Sequence, residues 1–355
     1  MMVPGEAWRD VVSGTTRTAV WGCIAALVMA ACSAFEIAQI DSLVVQANEF
    51  EEVGASVRIV QTQRLVDGAA CAAIGAQSAL DAGALREEPA KTVAAVLPSS
   101  PMVTYSITAG FLALVPVRSD TGGTGVFVSA DVAEALSVGA GDTFQSAAGQ
   151  VLVRGVFDWP TDGRRRGFGY AVLAPVTAEG AFDECWARLT PAGEDLSGLL
   201  TATLLPHDLE AHKSVVFSQL NTTLGERFDG AGRFAERPSR WAWLVALAGC
   251  AILGFASVRS RKLELASDLH VGVGRLALIG LMALESGWWA AVSLALAGVA
   301  SAIVMGLGSG LAVGATATAT ILVLGVGLIG VLAGTVVGAT SVREAALFRY
   351  LKFRQ

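Results

Sequence analysis

The sequence predicts a polytopic α-helical membrane protein: four transmembrane helices, one plus three, with an α+β extracytoplasmic domain on a helical stalk. Three observations lead there. Four apolar runs nearly free of charge are long enough to span a bilayer, one near the N-terminus and three near the C-terminus. Only 16% of the 355 residues are charged, where a soluble domain averages about 25%, and mean hydropathy is +0.57. Lys and Arg gather at one end of the runs.

A spanning helix needs about 20 mostly apolar residues. The first span is residues 18–36, through Trp21, Ile24, Leu27, Val28 and Met29, with no charge between Arg17 and Glu36. A signal peptide is the rival reading. The run is long for its apolar core, and Ala-Cys-Ser-Ala-Phe-Glu at 31–36 is a weak cleavage site, so a retained anchor is expected. A lipid-modified Cys32 fits no better, because the preceding Val-Met-Ala-Ala is a poor match and the run continues past the cysteine. The second span is 241–258, with Trp241 and Trp243 as interfacial anchors. The third is 276–307 and contains Trp288 and Trp289; the fourth is 315–338. Gly330, Gly334 and Gly338 form a small-xxx-small ridge that would let another helix approach, or are ordinary glycines of a chain that has 40.

Orientation follows from the basic residues. Arg9 and Arg17 precede the first span, Arg259, Arg261, Lys262 and Arg275 follow the second, and Arg343, Arg349, Lys352 and Arg354 follow the fourth. Residues 308–314 carry no charge. Residues 1–17, 259–275 and 339–355 are therefore expected in the cytoplasm and 37–240 outside. A net charge of −6 leaves no basic face for nucleic acid.

In the outside region, 36–52 has helical periodicity through Ile37, Ile40, Leu43, Val44 and Ala47. Residues 209–228 read the same way through Val215, Val216, Leu220 and Leu224, which gives two stalk helices. Between them, 56–61, 92–97, 102–108, 111–117, 125–129 and 151–157 read as strands, and 67–79 and 130–136 as helices. Arg164, Arg165 and Arg166 read as a solvated hairpin loop. Of five cysteines, Cys23, Cys32 and Cys250 lie in apolar runs and read as packing residues. Cys71 and Cys185 are the one pair suited to an extracytoplasmic disulfide, the alternative being two buried thiols.

The chemistry of an enzyme is not in evidence. There is no G-x-x-x-x-G-K-[ST], H-E-x-x-H or G-x-S-x-G and no metal-ligand cysteine spacing. The three histidines are His207, His212 and His270, and the first two do not share a helical face. No metal or cofactor is expected on this chain.

The most informative segment is 259–278. A basic stop is followed by a short amphipathic helix, with Leu263, Leu265, Ala266 and Leu269 on one side and Glu264 and Asp268 exposed. A Gly272-containing turn then returns to the membrane. Such a helix suits docking into a groove on a soluble partner or lying at the interface without one. Glu285, within the third span, is an intramembrane acid and so a functional candidate. Its place near the cytoplasmic end favours a structural role, reaching water or capping the short helix.

Here the chain resembles the MacB/FtsX-like permease subunits of type VII ABC transporters. The resemblance rests on Arg261, Glu264, Leu265, Val271-Gly272 and Glu285, on the one-plus-three topology, and on the outer pattern Gly125–Ser129, Ala133–Leu136, Gly141-Asp142, Val153-Arg-Gly-Val156. Asp268 and Leu269 depart from it, standing where the family usually has an aliphatic residue and often Arg. The resemblance implies a permease that dimerises and binds a separate cytoplasmic ATPase, which carries ATP and Mg. Arg261, Leu263, Glu264, Leu265, Asp268, Leu269 and Gly272 would couple the two, and motion would pass through the spans to the outer domain. Export or extraction of an amphiphilic substrate across a bacterial inner membrane is the expected function, with membrane lipid and an extracytoplasmic protein as further partners. The alternatives are an FtsX-like regulator of cell-wall hydrolases and a membrane-anchored sensor without an ATPase.

Overall fold

A computed structural model describes residues 18–77, 80–188, 196–206, 215–310 and 312–342. They fall into two compact units, one from Ala47–Gly230 and one from the flanking segments Met1–Gln46 and Ala231–Gln355. The first helix, α1 (Thr18–Glu52), is continuous over 35 residues.

The Ala47–Gly230 unit is built on one mixed sheet. Its elements are β1 (Val57–Asp67), α2 (Gly68–Gln77), β2 (Ala82–Glu87), β3 (Val103–Ile107), a 3₁₀ turn (Ala109–Leu114), β4 (Val117–Asp120), β5 (Val126–Ser129), α3 (Ala130–Leu136), β6 (Thr143–Ser146), β7 (Gly149–Phe157), β8 (Ala171–Pro175), β9 (Ala181–Arg188), α4 (Leu196–Thr201) and β10 (Val216–Gln219). The strand order is β10-β1-β9-β2-β3-β8-β5-β7-β4, with β6 added on β7. Among the described strands, only β3–β8 and β5–β7 run parallel. Local chemistry explains α3: the Ser129 hydroxyl caps the Val132 N–H, Asp131 sits in the first turn and Ser137 ends it in a left-handed conformation,.

Both faces of the sheet are covered. One carries Ile59, Phe111, Phe127, Phe157, Phe168 and Trp186; the other carries Val60, Cys71, Phe182, Cys185 and Leu200. Cys71 on α2 is bonded to Cys185 on β9, Cα to Cα 5.9 Å. The bond ties helix to central strand across 114 residues.

Four local expectations are corrected. Residues 215–219 lead into and form β10, an edge strand on β1, and not a second stalk helix. The run Val215-Val216-Phe217 suits a strand, and pairing to β1 overrides the helical spacing. Residues 207–214, with His207 and His212, lie outside the described residues. The 92–97 segment makes only the bridges Thr92–Met102 and Ala94–Ser146. Residues 109–114 form a 3₁₀ turn that buries Phe111 and Leu114. Finally, the arginine run is only partly solvated: the Arg164 side chain is 7% exposed and Arg165 pairs with the buried Glu184 at 2.7 Å, while Arg166 is exposed as expected.

The other unit is a helix bundle. To the first part of α1 it adds α5 (Gly230–Glu236), a 3₁₀ turn (Pro238–Trp241), α6 (Ala242–Ser260), α7 (Lys262–His270), α8 (Arg275–Leu307) and α9 (Val313–Ser341). Among the described residues, four helices are long and apolar enough to cross a membrane: Thr18–Glu52, Pro238–Ser260, Arg275–Leu307 and Val313–Ser341. Helices α6 and α9 touch backbone to backbone through glycine. A Cβ on Gly334 would lie 1.9 Å from the Ala251 carbonyl oxygen, and one on Gly330 2.5 Å from that of Leu247. Gly338 faces Val258, and Gly254 on α6 faces Val331. Small residues at this seam let dispersion contacts form along the whole length.

Candidate functional site

Helix α6 ends at Ser260, and Arg261 occupies the junction to α7. The Arg261 guanidinium makes two forked pairs. Nε and Nη2 donate to the Glu264 carboxylate at 2.9 and 2.6 Å, and Nη1 donates to both oxygens of Glu285 at 2.8 and 2.7 Å. The Glu285 side chain is 8% exposed and Arg261 14%, whereas Glu264 is 56% exposed. Glu285 therefore clasps the α6–α7 junction onto α8, and Glu264 closes the cluster on its wet side. Glu264, then Glu285, push the Arg261 pKa up against the opposing effect of burial. The same hydrogen bonds hold Glu264 below the usual carboxylate range. Burial, then the nearby Glu264, raises Asp268.

Packing fixes α7 as firmly as charge does. Leu265 and Ala266 are buried, with Leu269 beside them, against Val258, Leu278, Met282, Ala339 and Val342. Leu265, expected among the coupling residues, thus faces its own bundle and is 1% exposed. Glu264 is exposed as expected, Asp268 is half-buried, and Leu263 is half-buried. Beyond α7 the chain turns at Gly272, whose φ of +98° favours glycine,. Residues 271–277 are all exposed, with Val271 at 82%, Val273 at 42% and Leu276 at 86%. The result is a helical hairpin with an exposed aliphatic tip beside His270 and Arg275.

The opposite end of the bundle carries a second charged clasp. Arg237 donates to Glu36 through Nε at 3.1 Å and Nη2 at 2.6 Å, and its guanidinium lies 3.8 Å from the Phe234 ring centroid. Asp41 accepts from the Ser309 backbone N–H at 3.0 Å and from its hydroxyl. Arg233 donates to Gln46, and Arg240 stacks over Trp241. Three arginines thus flank α6 at the end away from Arg259 and Arg261, so basic residues stand at both ends of this span and not at one end only, contrary to expectation. Glu36 and Arg237 stand 201 residues apart, and no local spacing announces the pair. Among the described residues no group of three or more His, Cys, Asp or Glu side chains is placed to hold a metal. Arg9, Arg17, Arg343, Arg349, Lys352 and Arg354 lie outside the described residues.

No protein family's sequence pattern matches this chain, and no curated protein matches it. Among solved structures, the chain is similar to the periplasmic region of MacB from Actinobacillus actinomycetemcomitans, at a TM-score of 0.37 and 10% identity, over 53% of this chain and 96% of that one.

Proposed function

We propose that this chain is the permease subunit of a transporter driven by a separate ABC-type ATPase, and that α7 with its following turn receives the ATPase's motion. The observation that carries this reading is the clasped hairpin with an exposed aliphatic tip. A lever that passes on force needs to be fixed to what it moves, and Arg261–Glu285 and Leu265 supply that attachment. It also needs an apolar surface for its partner, and Val271, Val273 and Leu276 supply one.

Depth arithmetic separates that tip from lipid-facing residues. From Glu285 to Leu307, α8 rises about 33 Å, close to a hydrocarbon core of about 30 Å. If Glu285 marks the boundary, which shortens the expected 276–307 span to its part beyond Glu285, Leu276 stands about 13 Å outside the hydrocarbon. A soluble protein with an apolar groove fits this surface. On this reading the Arg261 end faces the cytoplasm of a bacterial cell, ATP and Mg are bound by the partner, and two permease copies assemble around two ATPases. The substrate is amphiphilic and is exported or extracted at the far side of the membrane.

The test is co-purification of the full chain, expressed in its native host, with a P-loop ATPase. Val271→Glu and Leu276→Glu together are expected to reduce recovery of the ATPase at least about tenfold, on the scale of one lost apolar anchor. Undiminished recovery, or no ATPase recovered with the unaltered chain, would count against the proposal.

A further inference from the structure

We propose that the Arg237 end of the bundle encloses a bound-water site held by Ser33, Glu36, Ser239 and Thr320. Seven buried side-chain polar atoms among the described residues have no hydrogen-bond partner. Four of them are Ser33 Oγ, Glu36 Oε2, Ser239 Oγ and Thr320 Oγ1. The other three are scattered: Trp21 toward the opposite end, and Ser56 and Arg188 in the sheet unit.

The four are drawn together by the packing. Ser33 and Glu36 are three residues apart on one face of α1. Met29 packs on Gly327, and Asp41 and Thr316 line one cavity. Helix α9 therefore runs antiparallel beside α1. Seven residues up α1 from Met29 is Glu36, and seven back along α9 from Gly327 is Thr320. The two stand at the same height. Ser239 lies two residues from Arg237, which bonds Glu36. Cys32, next to Ser33, packs with Ala242, Ala246 and Val323, one turn from Ser239 and Thr320.

Each hydroxyl had a simpler choice. Elsewhere in the bundle Ser293, Ser301, Thr316 and Thr335 return their hydrogen bonds to the carbonyl four residues back. Neither Ser33 nor Thr320 does so. Both Arg237 bonds converge on Glu36 Oε1, which leaves the second oxygen of a residue only 4% exposed without a donor. A buried carboxylate oxygen is costly without one. Water meets every requirement, since it donates to Oε2 and both donates to and accepts from hydroxyls, and buried waters make about three such bonds. A metal cation is disfavoured because Arg237 already balances the Glu36 charge. One turn further on, a cavity of about 10 Å³ lined by Ile37, Asp41, Gly308 and Thr316 is of the size of a single water. It continues the polar file toward the Asp41–Ser309 contact.

The experiment is X-ray radiolytic hydroxyl labelling of the full chain in lipid nanodiscs, where bound water labels side chains that bulk water does not reach. Ile37 reports the site, and Leu278, equally buried at 2% exposed but at the other end, is the control. Ile37 is expected to label about fivefold faster than Leu278, and Ser33→Ala with Thr320→Val to remove most of that excess by deleting two of the water's partners. Equal rates in the unaltered chain would overturn the proposal without any variant. So would an excess that survives the double substitution, or one that changes when sodium is replaced by choline, which would indicate a cation.

Discussion

Replacing Glu285 by Gln is the sharpest perturbation of the clasp. Arg261 would keep Glu264 but lose the partner that is 8% exposed. Removing one member of a buried pair commonly destabilises by about 3–5 kcal/mol, because the remaining charge stays buried. The retained Glu264 bonds lower this to about 2–3 kcal/mol by the same reasoning. Glu264→Gln removes a partner that is 56% exposed, and such pairs contribute about 0.2–1 kcal/mol. The order of the two effects is therefore fixed by burial: Glu285 outweighs Glu264, although Glu264 makes bonds just as short. The assay is thiol labelling of Leu265→Cys, a site 1% exposed that reacts only when α7 lifts away. Glu285→Gln in that background should raise the labelling rate about 30-fold or more, and Glu264→Gln less than about fivefold. Replacing Arg261 and Glu285 together by Met should largely restore slow labelling, since no buried charge is then left unpaired. Equal effects of the two single changes, or a larger one at Glu264, would refute the assignment of the clasp to Glu285.

Gly334→Leu should separate α6 from α9 and destabilise the bundle by about 2–3 kcal/mol, read by thermal unfolding. Gly325→Leu on the same helix, with nothing near its added carbon, should be close to neutral. Cys71→Ala with Cys185→Ala opens a 114-residue loop and should cost the sheet unit about 2–5 kcal/mol, seen as earlier thermal exposure of the buried Trp186. Asp268 carries a raised pKa, so the folded state holds its proton more tightly than the unfolded one. Stability contributed by this group is present at low pH and lost as pH rises through the window above its ordinary 3.8,. Asp268→Asn should therefore match or exceed the native stability at pH 7, and the advantage should vanish below about pH 4.

The sequence was most legible where local chemistry and long-range packing agree. The four apolar helices show themselves through length and composition, and α3 falls where Ser129 and Asp131 announce it. Arg261 and Glu264 stand three residues apart, within local reach, and Glu285 is marked as a candidate by being an acid inside an apolar run, but no local spacing joins it to Arg261, 24 residues away. The misses have physical reasons. Strand β9 carries Asp183 and Glu184 in the middle of the sheet, against the alternation expected of a strand, and they are tolerated because the Arg64 and Glu87 backbone N–H groups and the Arg165 and Trp186 side chains bond them. Residues 215–219 have both helical spacing and strand-forming side chains, and only β1 decides between them. That Leu265 packs on its own bundle was not legible, because an amphipathic helix does not say which of two neighbours takes its apolar face. The Glu36–Arg237 clasp joins positions too distant for any pattern to link.

Whether the α7–α8 tip meets an ATPase can be read in growing cells from a photocrosslinking residue placed in turn at Val271, Leu276 and Leu265. A crosslinked product containing a P-loop ATPase is expected from Val271 and from Leu276, and none from Leu265, which faces its own bundle. Adducts to lipid alone at Val271 and Leu276, with the full chain expressed and inserted, would contradict it.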